Sequence, residues 1–352
     1  MVLRACADEG FSLAGVAPVQ PSRWAAHVRE WLASGKHGSM SYLAEELQVR
    51  LDPGRVMEGT RAFVVVGDRY AARGGADAPQ RGQGRIARYA RGKNYHEVMK
   101  QRLHRVADRM RVRFPGSDFR TCVDTAPLPE RELAFLAGLG WIGRNTMVIH
   151  PQGGSYLLLG VMATNLELEP ASRPMDDHCG TCTRCIEACP TGAITAYSVD
   201  ASRCISYLTI ERRGLVPPDL HAGIGDWIFG CDVCQEVCPH NSARAGQGDD
   251  AVHSAYRSDR RGLDLLAVLG WDESARREAF RSSAMKRASL AIMKRNALIA
   301  AGNVVARGPE DDLSRALRER IAAIAAGTGE EEMVTQTARA VLDRLAGSPP
   351  GG

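Results

Sequence analysis

Seven of the ten cysteines stand in two short runs, Cys179-x2-Cys182-x2-Cys185-x3-Cys189-Pro190 and Cys231-x2-Cys234-x3-Cys238-Pro239. Thiolates at this spacing hold iron–sulfur cubanes. Three cysteines of a C-x2-C-x2-C turn reach one cluster, and the cysteine before proline reaches the other. Two 4Fe-4S clusters need eight ligands, and the runs supply seven. Of Cys6, Cys122 and Cys204, only Cys204 lies between the runs, which makes it the expected eighth ligand. The expected ligation is crossed: Cys179, Cys182, Cys185 and Cys238 for one cluster, Cys189, Cys204, Cys231 and Cys234 for the other. Structural zinc would ask for paired C-x2-C motifs around one ion. Disulfides would ask for an oxidising compartment, and Met1 to Gly10 lacks the apolar run of a signal peptide. The chemistry is therefore one-electron transfer, in a protein expected to be cytoplasmic.

Outside the cysteines, Asp124 leads into Thr125-Ala126-Pro127 at the exit of an expected strand. It has two readings. An Asp before a helix caps free backbone N–H groups. A catalytic acid in the same place needs a raised pKa, which burial against an apolar cofactor supplies by desolvation. Cys122 shares its strand face and reads as a small buried hydrophobe. The stretch Arg85 to His96 mixes basic and aromatic residues, which suits either a phosphate or a solvated loop. His178 and His240 flank the cysteine runs and read as surface or supporting groups. Neither G-x-G-x-x-G after a strand nor a P-loop occurs, so nothing points to a nucleotide cofactor.

The elements that must position these residues suggest three regions, as 352 residues exceed what one core usually organises. Residues 1–168 read as α+β. Ala62 to Gly67 is a buried strand, and Tyr95, Met99, Leu103, Val106 and Met110 mark one face of a helix. Arg120 to Asp124 is a second strand, followed by a helix from near Pro127 to Gly138. Thr146 to His150 and Ser155 to Leu159 flank Pro151-Gln152-Gly153-Gly154 and predict an antiparallel hairpin. Residues 169–245 hold the ferredoxin-like pattern, with linkers at Glu167 to Asp177 and Ser242 to Asp250. Residues 251–348 read as helices over Ser283 to Val305, Asp311 to Ala326 and Glu330 to Leu345, a HEAT-like stack. Net charge is +4, but Arg281 to Arg307 carries six basic residues and no acidic one. Lys286, Arg287, Lys294 and Arg295 within it predict a phosphate-binding face. No apolar stretch approaches the length of a membrane span.

Several stretches together resemble the epoxyqueuosine reductase family of bacterial tRNA queuosine synthesis. They are Cys122-Val123-Asp124-Thr125-Ala126-Pro127, Gly138-Leu139-Gly140-Trp141-Ile142-Gly143-Arg144-Asn145, the double cysteine pattern, and Cys204-Ile205-Ser206-Tyr207-Leu208-Thr209-Ile210-Glu211. Arg50-Leu51-Asp52-Pro53, Arg88-Tyr89-Ala90-Arg91-Gly92, Gly230-Cys231-Asp232-Val233-Cys234-Gln235 and Arg295-Asn296-Ala297 match as well, so the resemblance runs in order over about residues 10 to 305. It implies a nitroreductase-like cobalamin domain, a ferredoxin-like domain and HEAT-like helices. It also implies cobalamin as the cofactor, Asp124 as proton donor, and Arg50, Tyr89 and Asn145 as cofactor-side residues. The family has Asp-Tyr-His where this chain has Asn94-Tyr95-His96, and a C-terminal His and Trp-Ala pair that Thr335 to Leu345 lacks.

The implied reaction is reduction of epoxyqueuosine to queuosine in the anticodon loop of tRNA. An external low-potential donor feeds the clusters, these reduce cobalamin to its Co(I) form, and Asp124 protonates the opening epoxide oxygen. The expected assembly is a monomer. Two rivals remain at this level. A reductive dehalogenase shares cobalamin and two clusters, but is commonly exported with a twin-arginine signal. A dedicated electron-transfer module would bind no corrin and would leave the 1–168 region unexplained.

Overall fold

The computed structural model describes residues 1–74, 79–243, 252–327 and 329–347. Most of the expected linker Ser242 to Asp250, and the expected boundaries at 245, 251 and 348, lie outside the described residues. The central sheet has four antiparallel strands in the order β1 (Leu13–Pro18), β2 (Ala62–Arg69), β7 (Leu157–Thr164) and β4 (Phe119–Cys122). The strands β3 (Gln83–Ile86), β5 (Trp141–Ile142) and β6 (Val148–Ile149) lie outside it.

Every residue of β2 is buried, which explains its near-continuous apolar run. Alternate side chains serve opposite faces. Val64 and Val66 pack with Met99, Leu103 and Val106 of the Tyr95–Arg113 helix. Phe63 and Val65 pack with Leu133, Ala134 and Leu136 of the Glu130–Leu136 helix. Burying each of these large apolar side chains contributes roughly 1.5–3 kcal/mol. At the end of β2, buried Asp68 pairs with Arg102 and accepts a 3.0 Å hydrogen bond from the Tyr256 hydroxyl, tying strand, helix and C-terminal region together.

The expected hairpin does not form. One bridge, His150 to Gly154, closes the turn, and the two arms do not pair with each other. Instead β6 pairs with β5, Trp141 opposite Ile149, while β7 takes a central place between β2 and β4. The reason is burial: seven of the eight β7 residues are buried, so the strand needs a partner on each edge and cover on each face. The helix expected from Pro127 starts later, at Glu130. Pro127 and Pro129 bias the residues before them away from helix, and turn bonds from Thr125 N–H to Val123 and from Leu128 N–H to Ala126 fill the gap.

The cysteine-bearing region and the C-terminal helices share one core. It includes Ile205, Leu208, Trp227 and Phe229 together with Ile292, Leu298 and Val305. A three-stranded sheet joins Trp227–Phe229, β3 and Gly262–Asp264, so all three regions of the sequence meet there. The Leu290–Arg307 helix sits inside this core, with Ala291 through Asn303 all buried. This corrects the expected phosphate-binding face. Arg295 is 0% exposed and donates to the carbonyls of Leu208, Arg212 and Gly214. Lys294 is also buried and donates to Glu330 at 2.6 and 2.8 Å. Both are structural cations whose donors are taken. Among the described residues, no helix is long and apolar enough to cross a membrane.

Candidate active site and cluster ligands

Asp124 leaves β4 in the left-handed region, with φ of 59°. A non-glycine residue held there costs of order 1–3 kcal/mol and persists only when its surroundings over-determine it. They do. The Asp124 N–H donates to Glu130 Oε1 at 2.7 Å. Its Oδ2 accepts from the Tyr95 hydroxyl at 2.8 Å and lies 3.0 Å from His96 Nε2. Asp124 is thus not a helix cap; Pro129 occupies that position.

The electrostatics follow from these contacts. A hydrogen bond from His96, with another from Tyr95, holds the Asp124 carboxyl below its ordinary range, against the effect of burial. The neighbouring Glu130 moves the other way: burial, with the Asp124 charge adding to it, pushes its carboxyl up to about 8. One residue is ionised and the other carries a proton at neutral pH. The Asp124 side chain keeps 57% of its surface open although protein closes around it on most sides, which describes a concave site.

Arg50 and Tyr42 stand within electrostatic reach of Asp124, and Arg287 joins them from the helical region. Arg287 donates to Glu211 at 2.8 Å, and with Tyr42 and Glu211 it lines an adjoining cleft of about 400 Å3. Arg50 Nε is buried and has no hydrogen-bond partner among the described residues. Tyr89 is held between Tyr70, Tyr95 and Phe229, with ring centroids 6.5, 5.9 and 6.3 Å away. Asn145 is buried beside the cysteines, and its side-chain amide donates to the Cys234 carbonyl at 3.4 Å. Lys286 Nζ lies 4.0 Å from Glu97, one residue beyond His96. Of the four basic residues expected at a phosphate face, Lys286 and Arg287 reach the rim of the Asp124 recess; Lys294 and Arg295 do not.

All ten cysteines are free thiols. Cys238 has Cys179, Cys182 and Cys185 as its thiol neighbours. Cys234 has Cys204, Cys185 and Cys189, Cys231 has Cys234 and Cys204, and Cys204 has Cys189. Two adjacent groups of four match these neighbourhoods, with Cys185 standing where they meet. The second lies nearer the recess, because Phe229, two residues before Cys231, packs on Tyr89. Among the described residues no three His, Cys, Asp or Glu side chains converge on one metal ion. A cubane spreads its four thiolates over four irons, so the donor set suits 4Fe-4S clusters. Cys6 is wholly buried in the core beneath the sheet.

His96, Tyr95 and Glu130 were not foreseen as site residues. His96 and Tyr95 stood within the basic-aromatic stretch; Glu130 carried no local signal, since only the folded loop returns it to the Asp124 N–H.

Residues 178–241 match the family described as a 4Fe-4S double cluster binding domain, and residues 50–125 match the family described as epoxyqueuosine reductase QueG. The chain is 39% identical to an epoxyqueuosine reductase of Xanthomonas campestris, over 87% of this chain and 86% of that one. It is 37% identical to one of Pseudomonas aeruginosa, over 88% and 86%. The structure resembles that of epoxyqueuosine reductase from Streptococcus thermophilus with a TM-score of 0.83 and 25% identity, covering 100% of this chain and 94% of that one. With both cysteine groups, the Asp124 recess and relatives matched along most of its length, the chain belongs to the epoxyqueuosine reductase family of oxidoreductases.

Proposed function

We propose that this chain reduces epoxyqueuosine to queuosine in tRNA, with Asp124 and His96 supplying the proton to the opening epoxide. The observation that carries the reading is the 3.0 Å contact between Asp124 Oδ2 and His96 Nε2 in a recess beside two groups of four thiols. The net change is epoxide plus two electrons and two protons, giving alkene and water. Asp124 delivers the first proton to the epoxide oxygen as its carbon–oxygen bond breaks; the second leaves with that oxygen as water. The 3.0 Å contact with His96 Nε2 is the path by which Asp124 is resupplied with a proton.

The eight thiols would hold two 4Fe-4S clusters in the crossed set, Cys179, Cys182, Cys185 and Cys238 against Cys189, Cys204, Cys231 and Cys234, fed by an external low-potential donor. Clusters pass electrons singly while the substrate takes two. When bound, cobalamin supplies the acceptance of single electrons and a nucleophilic metal centre for attack on carbon. The recess fits such a group: the buried, unpartnered Arg50 Nε is a donor for a polar substituent, and Tyr89 offers an apolar wall continuous with the second thiol group. Arg50, Tyr89 and Asn145 are the residues assigned to hold it.

For tRNA, Lys286 and Arg287 stand at the rim. Lys286 continues into a cleft of about 680 Å3 lined also by Arg276, Arg277 and Arg281. Phosphates of a stem loop held there would leave splayed bases free to enter the recess. Anaerobic reconstitution with iron, sulfide and cobalamin, followed by turnover of epoxyqueuosine-containing tRNA, tests the reading. A protein that takes up both clusters but no corrin, or does not form queuosine, overturns it.

A further inference from the structure

We infer that Trp141 sets the reduction potential of the cluster assigned to Cys179, Cys182, Cys185 and Cys238, by donating its indole N–H to the Cys179 sulfur. The inference rests on the ligand assignment proposed above.

Trp141 is the largest fully buried side chain among the described residues, 1% exposed, and its Nε1 has no hydrogen-bond partner among them. A buried indole N–H ordinarily finds an acceptor. Its ring packs in a small cluster with Ile149 and the cysteines Cys179 and Cys238. His178 and His240 close over it edge-on, with centroids 5.0 and 4.8 Å away. The unpartnered N–H belongs to a ring packed directly on Cys179, so a thiolate sulfur of a bound cluster is the acceptor at hand. One loop of the α+β region thus brings a buried donor to the cysteine group. The backbone makes this approach specific: Gly140 has φ of 159°, and a Cβ there would lie 2.4 Å from the Ile149 carbonyl oxygen, so only glycine lets β5 pair with β6 and deliver the indole.

A donor on a cluster thiolate stabilises the reduced, more negative form more than the oxidised form, and so raises the midpoint potential. Trp141 acts on one cluster only, because the second thiol group is built elsewhere. This also means that the cysteine-bearing segment does not by itself complete its own cluster environment; the α+β region supplies part of it.

The test is a redox titration of the anaerobic, full-length, two-cluster protein, followed by electron paramagnetic resonance, with Trp141→Phe compared to wild type. The expected result is one midpoint displaced to more negative potential and the other unchanged, at equal iron and sulfide content. Two unchanged midpoints overturn the inference. Should the variant lose iron, wild-type protein carrying 15N-tryptophan replaces it: the reduced cluster then shows hyperfine coupling to an indole nitrogen, and its absence is equally decisive. Cys179→Ala separates the two layers of the argument. If it retains both clusters, the ligand assignment fails; if it loses one while Trp141→Phe is silent, only the role of Trp141 fails.

Discussion

His96 Nε2 lies 3.0 Å from Asp124 Oδ2, while Nδ1 of the same ring lies 2.9 Å from Asn94 Oδ1. An amide oxygen can only accept, so Nδ1 carries a proton here. The Nε2 contact with Asp124 then has one proton to share, on either partner. Asn94 stands where the family has Asp; an amide oxygen fixes the ring without adding a negative charge that would hold the proton on the imidazole side.

Removing the acid should be costly. Asp124→Asn keeps the size of the side chain and lowers turnover by about 10²- to 10⁴-fold, the usual scale of general acid catalysis, with tRNA affinity unchanged. His96→Ala removes the group that holds the Asp124 carboxyl low, so its titration moves upward. The contact stabilises the fold above the unfolded carboxylate pKa and is lost as pH falls through the depressed folded value. The variant should therefore lose less stability than wild type on acidification, as followed by thermal melts across the acid range.

Glu130 predicts the opposite slope. Its folded pKa is about 8 against an ordinary 4.5. Between those values the unfolded chain releases the proton and the folded one keeps it, so the group makes folding less favourable as pH rises from 4.5 to 8. Glu130→Gln preserves an acceptor for the Asp124 N–H and abolishes this titration. Melting temperatures of variant and wild type should converge near pH 4.5 and separate in favour of the variant toward pH 8. Parallel curves would remove Glu130 as the titrating group.

Arg295 should be a stability residue. Its guanidinium satisfies carbonyls at Leu208, Arg212 and Gly214 inside the core. Arg295→Ala leaves them without donors and opens a cavity, at a cost of about 3–5 kcal/mol. Denaturant unfolding of the apo chain measures it. A change of tRNA affinity with unaltered stability would contradict the buried role.

What was legible in the sequence depended on how local the cause was. The all-buried β2 and the apolar face from Tyr95 to Met110 follow from short-range periodicity, and the cysteine spacing is itself a local signal. The basic stretch 281–307 misled because charge was read without its surroundings. Lys294 and Arg295 lie between Ala291-Ile292-Met293 and Ala297-Leu298-Ile299, an apolar girdle on all sides that marks a buried helix. Their partners, Glu330 and the carbonyls of Leu208 to Gly214, come from distant segments. Asp124's positive φ, its clasp by Glu130 and the displaced hairpin arise from tertiary packing, and no local pattern announces them.

The corrected tRNA face can be separated from the buried cations by salt dependence. Lys286, Arg277 and Arg281 are exposed; the ion pairs of Arg277 and Arg281 are local, that of Lys286 reaches Glu97 at 4.0 Å, and all lie in solvent, where they are worth little to the fold. Arg277→Glu with Arg281→Glu should leave denaturant unfolding within about 0.5 kcal/mol of wild type. Each lost phosphate contact lowers the slope of log affinity against log salt by about 0.7 to 0.9. The double variant should therefore bind a tRNA stem loop more weakly at low salt and with a flatter salt slope, measured by fluorescence anisotropy from 50 to 200 mM salt, on the order of the range over which such contacts are read. Lys286→Glu adds a like charge 4.0 Å from Glu97 beside the recess, so it should weaken binding further. If all three substitutions leave both affinity and slope unchanged, the cleft lined by Arg276, Arg277 and Arg281 is not where the RNA backbone lies.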